Sequence, residues 1–443
     1  MDQNERTLKN RLRDLDRFVA PLLIQFVATY LIRLTDKAIV GRISTPAFNA
    51  VNLASSTLFV VAGVLGAITI ILNVRGGKKL GEEDREGFDL EFETSIFLSI
   101  LIGLFAFVVI LFSQRWILSV FYALEGDPLE QGILFFTPMS LYVLLQLLIF
   151  AFTTYFKLHG QTKRILVGAT ASSLINVGID YLFALGSFGL PRLGVKVVGW
   201  STIFAMALNL GYYIFILRKE IRFCLGRYRE YFKNAMLHLK MSLAIMMQEV
   251  LDGTLMVLAL NALIIRIGEK EFAGYSIIME SLGFLFLFKY IYGSAVLSLT
   301  SIGRGKRDRE ELLDHPKIAT WVTTALYIGA GLLLLIFRQK VPAIISDDLL
   351  AQQAASRYLP YFLLAYLFSQ GSYIYRCALQ SMEEYRFVLY ATAPVNLVSA
   401  LLILYLTQKA GRSLEAVALA QFLGECAICM LYHRKYIRSV RSI

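Results

Sequence analysis

Two aspartates stand where a carboxylate is costly: Asp36 near the end of the first apolar stretch, and Asp180 inside SSLINVGIDYLF. A charge placed in hydrocarbon costs several kcal/mol, so an ionisable residue within a membrane-length apolar run is a functional candidate by default. Ser173, Asn176 and Asp180 recur at i, i+3 and i+7 and share one face of a helix. Upstream, Gln25, Thr29, Arg33 and Asp36 recur at i, i+4, i+8 and i+11 and make one polar stripe. Two carboxylates brought close repel when both are ionised, so such a pair can accept a proton from one side and release it on the other. Plainer readings stand beside this one. Arg33 could neutralise Asp36 one turn away, and Asp180 could be hydrogen-bonded for packing alone.

Other polar groups extend the pattern. Tyr142, Gln146 and Thr153 recur at i, i+4 and i+11 and could face the same cavity, although such groups also bridge neighbouring membrane helices. The second half carries Gln248, Glu249, Asp252, Glu280, Lys289, Arg376 and Glu425 within apolar stretches. Some of these must pair. Spacing alone does not say which acids meet Arg33, Lys37, Lys289 and Arg376.

Enzyme chemistry finds little support. A nucleotide loop of the form GxxxxGK[ST] is absent, and the GRGK at 303–306 is followed by Arg307 where a hydroxyl would hold magnesium. His159, His238, His315 and His433 all fall at expected helix ends or loops, so neither a metal site nor a cofactor is expected. Cys426 and Cys429 form a CxxC inside an apolar helix, which reads as two packed thiols.

The elements that position these residues follow from composition. The 443 residues are 57% apolar and 17% charged, with a net charge of +11. Runs of roughly twenty mostly apolar residues, the length that spans a bilayer, fit at 17–41, 47–73, 92–114, 131–156, 165–188, 195–217, 238–265, 272–302, 317–337, 353–380, 386–407 and 413–432. The expected fold is therefore an all-α polytopic membrane protein of twelve helices. With the N-terminus inside, most lysines and arginines fall in cytoplasmic segments, the richest being RKEIRFCLGRYREYFKN at 218–234. The basic balance thus reports topology and removes nucleic acid as a partner. Both termini are expected in the cytoplasm, and the charged start without a small-residue cleavage site reads as an uncleaved first helix in the inner (plasma) membrane.

The chain repeats itself. A shift of 224 positions lays Arg42-Ile43 on Arg266-Ile267, Phe48 on Phe272, and Gly81, Asp84, Arg85 and Glu86 on Gly305, Asp308, Arg309 and Glu310. Asn176 falls on Asn396 at a shift of 220. The expected division is a six-helix lobe at 1–217, a cytoplasmic linker at 218–237 and a second, pseudo-symmetric six-helix lobe at 238–443, with the symmetry axis along the membrane normal.

In this order and spacing the motifs resemble the multidrug and toxic compound extrusion (MATE) transporters over essentially the full length. TDKAIVGRIST at 35–45 is similar to the end of that family's first helix, and Pro21 lies where that helix can bend. LHGQTK at 158–163 is similar to its short loop after helix 4, NVGIDYLFALGSFGLPRLGVKVVG at 176–199 resembles its fifth helix and the exit from it, and QEVLDG at 248–253 resembles its seventh helix. The resemblance implies two six-helix lobes around a central cleft, with Asp36, Asn176 and Asp180 as a proton or sodium site and Pro21 as a hinge. It also implies antiport that exports small amphipathic organic compounds. Members with a cation site in the second lobe carry an acid in helix 10, where this chain has SQGSYIYR ending at Arg376.

Proton-coupled or sodium-coupled export of small organic molecules by a monomer embedded in membrane lipid is the expected function. A lipid-linked oligosaccharide flippase of the same superfamily and a non-transporting receptor or channel are the alternatives. A positively charged cleft would favour the flippase, and a pore open at both ends would favour the channel.

Overall fold

The computed structural model describes the backbone of residues 3–220, 228–346, 348–409 and 414–442, with side chains throughout these except 3–10, 29–34, 36, 37, 45, 228, 253, 254, 408 and 409. The fold is all-α. Among the described residues seventeen α-helices follow in order, starting with α1 (Gln3–Gly41), α2 (Thr45–Leu65), α3 (Ala67–Gly81), α4 (Arg85–Trp116), α5 (Gly126–Met139) and α6 (Tyr142–Leu158). Next come α7 (Thr162–Ile179), α8 (Val195–Leu217), α9 (Tyr228–Val250), α10 (Met256–Ile265), α11 (Glu269–Lys306) and α12 (Arg309–Ile336). The last are α13 (Val341–Ile345), α14 (Leu349–Ala365), α15 (Ser369–Ser381), α16 (Tyr385–Lys409) and α17 (Leu414–Arg441).

Several expected spans are built from two helices. The span expected at 47–73 is α2 followed by α3 across Gly66, that at 131–156 is α5 and α6, and that at 353–380 is α14 and α15. Wide π-helical turns continue three helices: Ile117–Phe121 after α4, Asp180–Ala184 after α7 and Leu251–Leu255 after α9. Among the described residues nine helical stretches are long and apolar enough to cross a membrane. Of the twelve runs read from the sequence, those at 17–41, 238–265 and 353–380 are not among the nine; the last is divided between α14 and α15.

Two compact units emerge, one of residues 20–79 with 84–243 and the other of 1–19 and 80–83 with 244–443. These limits differ from a division at 217 and 238, and the side chains give the reason. In the unit of 84–243, the start of α9 is tied to α4: Tyr231 donates to Glu93 at 2.7 Å, Asn234 donates to Thr94 at 3.3 Å, and His238 pairs with Glu91. In the other unit the start of α1 is tied to α12, where Arg11 meets Glu310 at 3.4 Å and Asp314 at 3.3 Å. Part of the expected linker, 221–227, lies outside the described residues.

The internal repeat is visible in the backbone. Glu83 and Arg307, 224 positions apart, both adopt left-handed conformations, with φ of 60° and 58°. Each closes its helix in the same way: Asp84 N–H reaches Lys79 O at 3.0 Å, and Asp308 N–H reaches Gly303 O at 3.0 Å. The aspartates then cap α4 and α12, accepting from Gly87 N–H at 2.9 Å and from Glu310 and Glu311 N–H at 3.0 Å. The Lys79 ammonium, 2.9 Å away, and the Gly87 amide hold the Asp84 carboxyl below the ordinary carboxylate range. A second pair, Gly160 and Glu383, repeats the left-handed turn with φ of 65° and 64°.

Close helix contact sets the packing of the first unit. A Cβ on Gly103 of α4 would lie 2.7 Å from the Leu144 Cα on α6, a backbone atom that cannot step aside. Gly103→Val is expected to destabilise the protein by about 1–3 kcal/mol, as overpacking does. Thermal unfolding in detergent checks this, against Gly63→Val on α2, where a Cβ meets nothing within 4 Å. In the second unit the core gathers Ile278, Leu282 and Leu285 of α11, Leu359 and Phe362 of α14, and Val417 and Ala420 of α17.

Candidate functional site

Among the described residues Asp180 is the most enclosed carboxylate of the first unit, with no exposed surface. It opens the π turn that ends α7, where the widened helix frees the regular hydrogen-bond register, a geometry frequent at functional sites. Asn176, one turn earlier and 6% exposed, donates its amide to Asp180 Oδ2 at 3.2 Å. Ser201 of α8, also buried, donates its hydroxyl to Asp180 Oδ1. An amide and a hydroxyl from two helices thus hold the carboxyl in place. Ser172 is the serine buried in line with this face, whereas Ser173 is half-buried.

The rest of the predicted N-terminal constellation divides. Asp36, Thr29, Arg33 and Lys37 lie outside the described residues as regards their side chains. Gln25 is half-buried, and Pro21 is buried inside an α1 that runs on through it. Tyr142 and Gln146 are half-buried. Thr153 bonds the carbonyl of its own helix at Phe150, 3.0 Å away, so its hydroxyl is spent locally.

In the second unit a larger polar group forms on α9, α11, α15, α16 and α17. Arg376 of α15 donates to Glu249 at 3.0 Å and lies 3.7 Å from Asp252. Asp252, in the π turn after α9, also accepts from Asn396 of α16 at 2.7 Å and from Gln248 at 3.4 Å. The Arg376 guanidinium stacks over the Tyr373 ring, 4.7 Å from its centroid. Glu280 does not join this group. It is exposed on α11, because its helical position points away from α15. Lys289 of α11 is buried beneath Phe286, its Nζ 4.0 Å from the ring centroid and 3.0 Å from the Ser369 hydroxyl. Of the four basic groups in question, Arg376 is therefore paired and Lys289 is enclosed.

Sequence spacing missed Ser201, and nothing but its polarity in an apolar helix could have marked it. Asn396 carried a signal: it is the repeat partner of Asn176, and each of the two asparagines donates to a buried or half-buried aspartate. A third cluster, Arg75, Glu91 and His238, lay in stretches read as helix ends. Arg75 Nε reaches Glu91 Oε1 at 2.8 Å, and the fully buried His238 ring meets the other carboxylate oxygen. Among the described residues no group of three or more His, Cys, Asp or Glu could hold a metal ion.

This arrangement has relatives. The chain is 23% identical over 344 residues to a probable multidrug resistance protein NorM of Thermotoga maritima, covering 76% of this chain and 72% of the other. It is 24% identical over 432 residues to the multidrug resistance protein MdtK of Proteus mirabilis, covering 91% and 89%. A crystal structure of a MATE protein in complex with MaL6 superposes with a TM-score of 0.85 at 16% identity, over 98% of each chain, and so shows the same fold. The family model MatE matches residues 21–182 and again 244–406, so the same model fits both repeats. This multi-pass membrane protein belongs to the MatE family.

Proposed function

We propose that this protein is a proton-coupled antiporter that exports small amphipathic organic cations from the cytoplasm by alternating access. The observation that carries the reading is Asp180, a wholly buried carboxyl held by Asn176 and Ser201 on two helices of one unit. A proton added there removes a charge from the protein interior, and its loss restores that charge. Protonation therefore biases one packing of the helices over another, and cargo that prefers the other packing competes with it. Asp36 is proposed as the second carboxylate of this site, with Pro21 as the point where α1 bends, since it lacks one backbone hydrogen bond. Tyr142, Gln146 and Ser173 are proposed to line the path. The relatives named as multidrug resistance proteins support the cargo class.

The second unit supports a cationic cargo. Arg376 is engaged by Glu249 and Asp252, two carboxylates against one guanidinium, and Lys289 is enclosed. An anionic, lipid-linked cargo would need basic groups with free faces, so the cationic reading is preferred over the flippase. The protein is proposed to act as a monomer in the inner membrane with both termini in the cytoplasm.

The test is transport of ethidium, a fluorescent organic cation, in proteoliposomes with proton and sodium gradients imposed separately. A proton gradient alone should drive export, and a sodium gradient alone should not. Export under sodium only would reverse the ion, and no export under either gradient would overturn the reading.

A further inference from the structure

Lys289 is an ammonium in a membrane helix, 7% exposed, and among the described residues no carboxylate lies within ion-pair distance of it. Its polar contact is one hydroxyl, Ser369, itself 1% exposed. A single neutral acceptor and the face of Phe286 compensate only part of the cost of desolvating a cation. The negative charge it feels is Glu425 of α17, opposed by Arg376 of α15. Glu425 in turn accepts from the Ser372 hydroxyl at 2.7 Å, and Ser372 sits one turn beyond Ser369 on α15. Two serines of one helix turn thus stand between an amine and a carboxyl.

The surroundings are polar and incompletely satisfied. Gln370, wholly buried beside Ser369, has an Oε1 without a partner, and Gln421, 8% exposed on α17, has an Nε2 without one. An unused acceptor thus stands next to Ser369 on α15, and an unused donor one turn before Glu425 on α17. The other titratable groups near the pair do not neutralise it. Arg376 is taken up by Glu249 and Asp252, and Tyr290, Tyr373, Tyr366, Tyr327 and Cys429 are neutral in the ordinary pH range.

We propose that Lys289 and Glu425 form a second proton-exchanging site, housed entirely in the second unit. The unloaded pair is an ammonium with a carboxylate, or its neutral tautomer reached when one proton moves from Nζ to the carboxylate. That transfer breaks an N–H bond, forms an O–H bond and discharges both groups. Uptake of one proton from water gives the ammonium with a neutral carboxyl and adds one positive charge to the pair. The antiporter then exchanges two protons per cargo, one at Asp180 and one here. This second statement rests on the antiport reading; the first does not.

The cargo-free test is infrared difference spectroscopy of the purified protein between about pH 5 and pH 9, following the band of a protonated buried carboxyl. A pH-dependent absorption with components from Asp180 and Glu425 is expected in the wild type. The Glu425 component should be missing in Glu425→Gln, where that of Asp180 remains, and displaced along the pH axis by about one unit or more in Lys289→Met, with Lys289→Gln as the second variant should Met not fold. A wild-type spectrum matched by Glu425→Gln, or a band indifferent to both Lys289 variants, would overturn the proposal. The transport arm uses ethidium, a monovalent cation. Exchange against two protons moves one net charge, so an inside-negative potential should accelerate wild-type export. In Lys289→Met and Glu425→Gln, export driven by a pH gradient should persist and lose that dependence, whereas a merely structural role would change the rate alone. Potential dependence retained in both variants would contradict the second site, and absence of any proton-driven export would count against the antiport reading while leaving the infrared result to stand by itself.

Discussion

Asp180→Asn is expected to bring proton-driven ethidium export down to the rate of empty liposomes, a loss of at least about 100-fold against a chemistry that needs an ionisable group at this point. The substitution keeps size and shape, and the new amide oxygen still accepts from Ser201, so the fold should lose no more than about 1–2 kcal/mol for the contact with Asn176. Ethidium binding to the detergent-solubilised variant should survive, because the exchange removes the proton site and leaves the cargo path in place. Ser201→Ala is the companion variant. It removes a donor and keeps the acid, and should slow export without abolishing it. Wild-type export by Asp180→Asn under a proton gradient would move the coupling site elsewhere, to Asp36, Glu249 and Asp252 or the Lys289–Glu425 pair.

Arg376→Met should have the largest effect on stability. The guanidinium is 16% exposed and serves two carboxylates, Glu249 and Asp252, which are 32% and 25% exposed. Removing one partner of a largely buried pair leaves the other charges without compensation, and here costs about 2–4 kcal/mol once partial solvent access is allowed for. The double variant Arg376→Met with Glu249→Gln should recover a good part of that loss, because it removes an orphaned charge. Thermal unfolding in detergent reads both. A single variant as stable as the wild type would mean that solvent already screens the pair. A double variant less stable than the single would mean that Glu249 is held by something besides Arg376.

Much of this was legible in the sequence, for identifiable reasons. Membrane helices must satisfy their own backbone, so apolar length alone revealed the all-α fold. Asp180 and Asn176 were legible because a helix turn fixes the distance between residues four apart. What spacing cannot show is which side chains meet across helices. Ser201, Ser372 and Glu425 gain their meaning only when α7 packs on α8 and α15 packs on α17. Helix interruptions were hidden as well. The breaks at Gly66 and between α14 and α15 lie inside continuous apolar runs, where hydropathy has no signal for them. The Arg75–Glu91–His238 group fell in stretches read as solvated helix ends, and only the buried start of α9 brings it together.

The left-handed turns at Glu83 and Arg307 mark one corner of the chain in each repeat. The two residues carry opposite charges, yet both hold a backbone conformation that non-glycine side chains resist, followed by the same capping aspartate and closed by the same carbonyl 224 positions away. The side chains at that point are opposite in charge in the two repeats, while the bend is the same. What the repeats share at this corner is the path of the chain, so a neutral, backbone-permissive residue such as glycine at either position should leave the corner in place.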